Sequence, residues 1–317
     1  MKVSVIIPAY NAEPYIAQAI ESCLQQTAPP DEIIVADDSS TDGTAAIAKK
    51  SSKFVKVVQL TENSGVSVAR NRAIEESTAD WIAFLDADDY FLPDKLELQA
   101  DCIRENPHAV LIYSGFRIVA GNGLPEDGSF SPAGDLAWRL RYQNPILTSS
   151  VLLRREAFDA AGGFDPVYRS AQDWDMWLRI AERFSTAAFA AVPNPLVMYR
   201  RVPGSLSSSA MRYFNVRQPI IENRSLYRTS GIRRLHLRRR IHAFNHFDTS
   251  LALREERSTG DLGMVLKSLA LWPFPGRMLP MKRYTTALVM LMQHLGWWPN
   301  LFRPSHAASK TPREHKG

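Results

Sequence analysis

Cysteine is almost missing from this 317-residue chain: only Cys23 and Cys102 occur, each within an apolar pattern. Two such residues exclude a disulfide framework and fit a reducing compartment. The glycine-rich phosphate loops G-x-G-x-x-G and G-x-x-x-x-G-K-[ST] are absent as well, so the usual dinucleotide and P-loop readings fall away. If phosphate binds, a metal must help to hold it. The opening MKVSVIIPAYN offers five apolar or small residues between Lys2 and Pro8, too few for the apolar region of a secretion signal, and the chain is expected in the cytoplasm. Long hydrophobic runs are lacking too. The nearest, Tyr284 to Phe302, has 19 residues without Asp, Glu, Lys or Arg, but Gln293, His294, Pro299 and Asn300 interrupt it. Lying in a membrane interface suits it better than crossing.

Charge is unevenly placed. From Met211 to Gly317 there are 19 Lys and Arg against 6 Asp and Glu, a balance of +13, which leaves −8 on residues 1–210 of a chain whose net charge is +5. The two parts are therefore expected to face different partners. In the first, short β-branched or apolar runs at 3–7, 33–36, 55–58, 81–85 and 110–113 alternate with helical patterns such as Ile16, Ile20, Cys23 and Leu24. Alternation of this kind predicts a parallel α/β sheet covered by helices on both faces, with ligands at the carboxyl ends of its strands.

Three strand ends carry unusual chemistry: Pro8-Ala9-Tyr10-Asn11, Asp37-Asp38-Ser39-Ser40 and Asp86-Ala87-Asp88-Asp89. Alternate carboxylates such as Asp86 and Asp88 can place oxygens around Mg²⁺ or Mn²⁺, which takes one or two protein carboxylates plus substrate phosphates. They can equally be turn formers ahead of a helix over 93–104. A second helix is expected over 173–183, with Trp177, Ile180, Ala181 and Phe184 on its apolar face and Asp173 in its first turn, placed either to cap the helix or to act as a base. The stretch from Leu124 to Gln143 reads as a loop, either mobile on an acceptor side or an inert connection.

Six ordered blocks, VSVIIPAYNAEPYI, EIIVADDSSTDGT, NSGVSVARNRAI, WIAFLDADDYFLP, TSSVLLRREAFDAAGGFDP and QDWDMWLRIAERF, resemble the family 2 glycosyltransferases of the inverting GT-A fold over roughly residues 2–208. That resemblance implies a Rossmann-like mixed, mostly parallel sheet and a nucleoside-diphosphate sugar donor, a UDP-sugar first, held with Mn²⁺ or Mg²⁺. It implies donor contacts at Pro8, Tyr10, Asp38, Arg70, Asn71, Asp86 and Ala87, with Tyr10 and Asp38 at the base and Asp86 near the ribose. Asp88 matches the metal-binding carboxylate, and Asp173 the catalytic base. The chain departs from the family pattern at Gln172, where many members have Glu, and at Val202, where a histidine often helps to bind metal or diphosphate. His108 is the only histidine before residue 211, so Arg200 and Arg201 are the candidates to supply positive charge there.

In the basic part, Arg233-Arg234 and Arg238-Arg239-Arg240 accompany no nucleic-acid motif, and no nucleic-acid partner is expected. Leu262, Val265, Leu266 and Leu269 form a helical stripe leading to Trp272, and Trp297-Trp298 follow. Basic residues with tryptophans on apolar helices predict association with an anionic membrane surface. The expected organisation is a GT-A domain over 1–210, a basic, aromatic-rich helical membrane-associating region over 211–303 and a flexible tail over 304–317. The expected function is transfer of a sugar to a hydroxyl of a glycan or lipid-linked glycan in surface polysaccharide assembly, peripheral on the inner face of the cell membrane. A sugar-nucleotide pyrophosphorylase or a catalytically inactive binding module are the alternatives.

Overall fold

In the computed structural model, residues 1–120, 124–128, 130–202, 210–226, 228–255, 260–275 and 282–294 are described. The apolar runs become strands β1 (Val3–Ala9), β2 (Glu32–Asp37), β3 (Val55–Gln59) and β4 (Trp81–Phe84), joined by helices α1 (Ile16–Leu24), α2 (Thr44–Ser51) and α3 (Val66–Glu75). These four strands are parallel, in the order β3-β2-β1-β4. Side chains alternate across this sheet. Ile6, Ile34, Ile82 and Phe84 join one buried cluster with α3, while Val5, Ile7, Val35 and Ala83 join another with α1. Runs buried on both faces are the mark of a parallel sheet between helical layers.

The remaining strands are β5 (Tyr90–Phe91), β6 (Leu111–Ala120), β7 (Glu126–Asp127), β8 (Leu152–Arg154) and β9 (Phe189–Arg201), and they complete a nine-stranded mixed sheet. β8 runs antiparallel between β4 and β6, β9 lies parallel to β6, and β5 closes the edge antiparallel to β9. β9 was hidden by Pro193 and Pro195, which cannot donate to a ladder. The sheet accommodates them with register shifts at Ser114–Gly115 and Gly115–Arg117. Here the partner must be glycine, because a Cβ at Gly115 would come 2.7 Å from the Pro193 carbonyl oxygen.

Four helices pack around this half: α4 (Lys95–Glu105), α5 (Ala133–Arg139), α6 (Arg155–Ala161) and α7 (Gln172–Phe184). The segment read as a loop over Leu124–Gln143 contains β7 and α5, and buries Leu136 and Leu140 in the core. Pro125 and Gly128 bracket β7, and Pro132 precedes α5.

The basic part forms α8 (Ala210–Ile220), α9 (Gly231–Glu255), α10 (Asp261–Leu271) and α11 (Lys282–His294). Ile241, Phe244, Phe247, Val265, Ala287 and Met290 belong to the same buried cluster as Trp174 and Trp177 of α7. Val265 is wholly buried, Leu262 and Leu269 pack against the core, and only Leu266 of the predicted stripe stands half-exposed. Helical periodicity reveals an apolar face without saying whether protein or lipid covers it. Trp297, Trp298 and the tail over 304–317 lie outside the described residues.

Asp175 ties α7 to the basic helices. Wholly buried, it accepts hydrogen bonds from Arg179 at 2.8 Å and from Arg224 at 2.7 Å, the latter on the wide helical turn Ile221–Ser225 that follows α8. This carboxylate is therefore structural. Asp175→Asn is expected to lower stability by about 3 kcal/mol, the low end for breaking a buried pair because Arg224 is partly exposed. Urea unfolding reads the effect, and kcat of the folded variant should stay within about twofold. A large fall in kcat without loss of stability would place Asp175 in the chemistry instead.

Candidate active site

Strand register brings the acidic ends together. Phe84 lies beside Ile6 and Asp37 beside Ala9, so Asp86, two residues beyond Phe84, emerges level with Pro8. They border an open cleft of about 1020 Å³ that also receives α3, α7, the end of β9 and the α8–α9 pair. Pro8, Tyr10, Asp38, Arg70, Asp86, Ala87, Asp88, Asp173, Arg201 and Val202 all line it. Asn71 and Arg200 do not.

On one wall, Tyr10 is half-exposed with its ring free to meet a planar ligand. Asp38 is buried, and its two carboxylate oxygens accept from the backbone N–H groups of Ser64 and Gly65, each at 2.8 Å. The carboxylate thus fixes the start of α3. Gly65 has φ +91°, the left-handed region open to glycine. Asn11 (φ 48°) and Ala171 (φ 55°) hold the same strained region at the cleft without being glycine.

The opening of α3 positions Arg70, which is 2% exposed, ion-paired with Asp86 and stacked 5.2 Å from the Phe164 ring centroid. Asn71, one residue on, turns away from the cleft. Its amide grips the backbone of Phe164 from both sides, donating to the carbonyl at 2.8 Å and accepting from the N–H at 2.9 Å. Asn71 therefore braces the turn between α6 and α7 while its neighbour faces the cleft.

The four residues Asp86 to Asp89 divide into three roles. Asp89 is wholly buried and accepts from Ser149 Oγ at 2.6 Å and from the Arg200 backbone N–H at 3.0 Å, so it locks the turn to β9. Arg200 sits between the rings of Tyr15 and Tyr90 and donates to the Asp88 carbonyl at 3.0 Å. It holds the turn from behind. Asp86 pairs with Arg70, and Asp88 is left facing the cleft. Burial first, and the Asp86 charge second, push the Asp88 carboxyl up to about 6. Among the described residues no three His, Cys, Asp or Glu side chains gather into a metal cage. The donor set fits a divalent cation that completes its shell with phosphate oxygens and water, since such a cation needs only one or two carboxylates.

Asp173 opens α7 across the cleft. Its Oδ2 accepts from Asn144 at 2.7 Å and Thr148 at 2.9 Å, and its Oδ1 from the Trp174 N–H at 2.8 Å. Burial raises its pKa above the ordinary 3.8, although Arg70 and the Thr148 hydrogen bond pull it back. Three donors orient a carboxylate that remains a better proton acceptor than an exposed one. Sequence reasoning missed Asn144 and Thr148, as well as Arg217 and Asp248, which reach the cleft from α8 and α9. Nothing in the local sequence marks Asn144, Arg217 or Asp248, whereas Thr148 opens the block TSSVLLRREAFDAAGGFDP without a role assigned to it there.

The family model "Glycosyl transferase family 2" matches residues 4–162. Among curated proteins, a Bacillus subtilis glycosyltransferase named for teichuronic acid biosynthesis, TuaG, is 37% identical over 212 residues, covering 65% of this chain and 82% of its own. Among solved structures, S. aureus TarS residues 1–349 in complex with UDP-GlcNAc align at a TM-score of 0.63 and 22% identity, covering 94% of this chain and 93% of that one. A mannosyltransferase from Pyrobaculum calidifontis, solved with GDP-Man and Mn²⁺, aligns at 0.57 and 20%, covering 92% and 84%. At these identities the two structures speak to the fold, which is shared.

Proposed function

The chain belongs to glycosyl transferase family 2, and from that premise we propose an inverting transfer of one sugar from a nucleoside-diphosphate donor to a hydroxyl of a glycan or lipid-linked glycan. The observation that carries it is a single cleft in which Asp173, held by Asn144 and Thr148, faces the acidic pair Asp86 and Asp88. Inversion needs one base on the acceptor side and stabilisation of the leaving diphosphate on the other. Asp173 takes the proton from the acceptor hydroxyl as that oxygen attacks the anomeric carbon. Asp88, with Asp86, would hold Mn²⁺ or Mg²⁺, which when bound supplies Lewis-acid neutralisation of the departing diphosphate. Arg70, held by Asp86 and Phe164, and the exposed Arg201 add positive charge in the same cleft, while Tyr10 offers a face to the nucleotide base.

A donor of the UDP class is supported by the UDP-GlcNAc complex of the TarS structure, and surface polysaccharide as the setting by the name of TuaG. Screening UDP-, GDP- and dTDP-sugars by thermal shift with Mn²⁺, followed by transfer assays with the donors that stabilise the fold, tests the reading. Stabilisation by none of them, together with no donor hydrolysis, would sink it.

Peripheral attachment to the inner face of an anionic membrane belongs to the same proposal. No described helix is long and apolar enough to cross a membrane. Ile232 and Leu235, 70% and 51% exposed, flank the exposed Arg233 and Arg234 at the start of α9, and Phe274 after α10 and Leu288 on α11 are exposed as well. Such a mixture suits a headgroup layer. The full chain should sediment with phosphatidylserine vesicles at low salt, and Ile232→Ser with Arg233→Gln should release it. Sedimentation unchanged by the double substitution would rule out this surface.

A further inference from the structure

Residues 4–162, which the family model matches, include neither Arg217 nor Asp248, yet both line the cleft that holds Asp173. Arg217, on α8, is 2% exposed, and its guanidinium lies 5.8 Å from the ring centroid of Trp174, the residue next to Asp173. From there it donates to Asn245 Oδ1 at 3.1 Å and to Asp248 Oδ2 at 2.6 Å, both on α9. The Asp248 side chain is 39% exposed. A buried cation therefore clamps one oxygen of a carboxylate whose remaining surface is open to the cleft. Gln143 and Asn144 bring amides to the same cleft, and Tyr199 an aromatic ring.

Asp86 and Asp88 stand at the strand ends of this cleft, Asp173 enters it from the start of α7, and Arg217 with Asp248 reaches it from α8 and α9 beside Trp174. If the donor diphosphate occupies the Asp88 end, Asp248 is among the polar groups of the cleft left for the acceptor on which Asp173 acts. We propose that the α8–α9 pair forms the acceptor subsite, in which Asp248 accepts hydrogen bonds from hydroxyls of a neutral pyranoside and disfavours an anionic one. This rests on the transferase reading for the direction of the cleft. A fixed carboxylate in a cleft that also carries amides and an aromatic ring suits paired sugar hydroxyls, each of which brings a donor. A uronate keeps its ring hydroxyls, but its carboxylate would meet like charge at the Asp248 oxygen that Arg217 does not hold.

Saccharide binding, read by calorimetric titration of the full chain with UDP and Mn²⁺ present, tests the subsite without turnover. The probes are methyl glucoside, methyl galactoside and methyl N-acetylglucosaminide beside methyl glucuronide and methyl galacturonide. Wild type should bind the neutral probes at least about tenfold more tightly than the acidic ones, the size of effect expected for a charged hydrogen-bond partner against a like charge. Asp248→Asn keeps an oxygen for Arg217 to donate to. It should narrow that ratio about fivefold or more while UDP affinity stays within about twofold. A carboxylate that merely balances Arg217 would change the melting temperature and leave the ratio alone. An unchanged ratio, a wild-type preference for the uronides, or binding of none of the probes overturns the proposal. Selective saccharide binding without any transfer would instead overturn the transferase reading and leave the subsite standing.

Discussion

Replacing Asp173 by Asn is expected to lower kcat by ~10²–10⁴ while donor and metal affinity stay near wild type, the pattern of a lost general base. Folding should survive, because Asn is the same size and its one side-chain oxygen can still accept either from the Trp174 N–H or from the Asn144 and Thr148 donors that meet the other oxygen of Asp173. The wild-type pH profile should carry the same signature. A base must be ionised to work, and burial holds the Asp173 pKa above 3.8. The acid limb of kcat therefore lies above the range of an exposed aspartate, and activity is lost as pH falls through it. Thr148→Ala removes a hydrogen bond that favours the ionised form, so that limb should move to higher pH. A transfer assay over pH, run beside calorimetric titration with donor and Mn²⁺, separates these effects. Near-normal turnover in Asp173→Asn would reduce Asp173 to a helix cap, and Asp175 could not take over the chemistry from between its two arginines.

Asp88→Asn should fail differently. Binding and chemistry are expected to fall together, with kcat/KM down at least about 10²-fold, because metal stabilisation of a leaving group amounts to several kcal/mol and each 1.4 kcal/mol is tenfold. The turn itself should hold, since the side chain that locks it is Asp89, bonded to Ser149 and the Arg200 N–H, and not Asp88. Removing a carboxylate that burial and Asp86 already push up to about 6 also relieves repulsion, so the variant should melt no lower than wild type without metal. Thermal melts with and without Mn²⁺ check both statements. Wild-type donor affinity with unchanged Mn²⁺ dependence would remove Asp88 from the metal shell.

Much of this was written in local sequence. β-branched runs buried on both faces specify β1 to β4 before any contact is known, and the placement of Asp38, Asp86 and Asp173 relative to their strands and helix sets them near one cleft, because strand ends in a parallel sheet converge. Pattern could not reveal β9, whose prolines need a bulge opposite Gly115. It could not tell Asp88 from Asp89 either, since both follow the same strand and only packing decides which carboxylate meets Ser149 and which meets solvent. Arg70 and Asn71 are adjacent, yet helix geometry points one at Asp86 and the other at the Phe164 backbone. Arg217 and Asp248 stand 31 residues apart on two helices, and a charged residue on a helix looks the same whether its face meets water or a cleft. Local sequence fixes which segments are strands and helices because periodicity is a property of neighbours. Which side chains share a site depends on how distant segments pack, and in this protein the tertiary structure alone decided that α8 and α9 of the basic part bring Arg217 and Asp248 to the cleft.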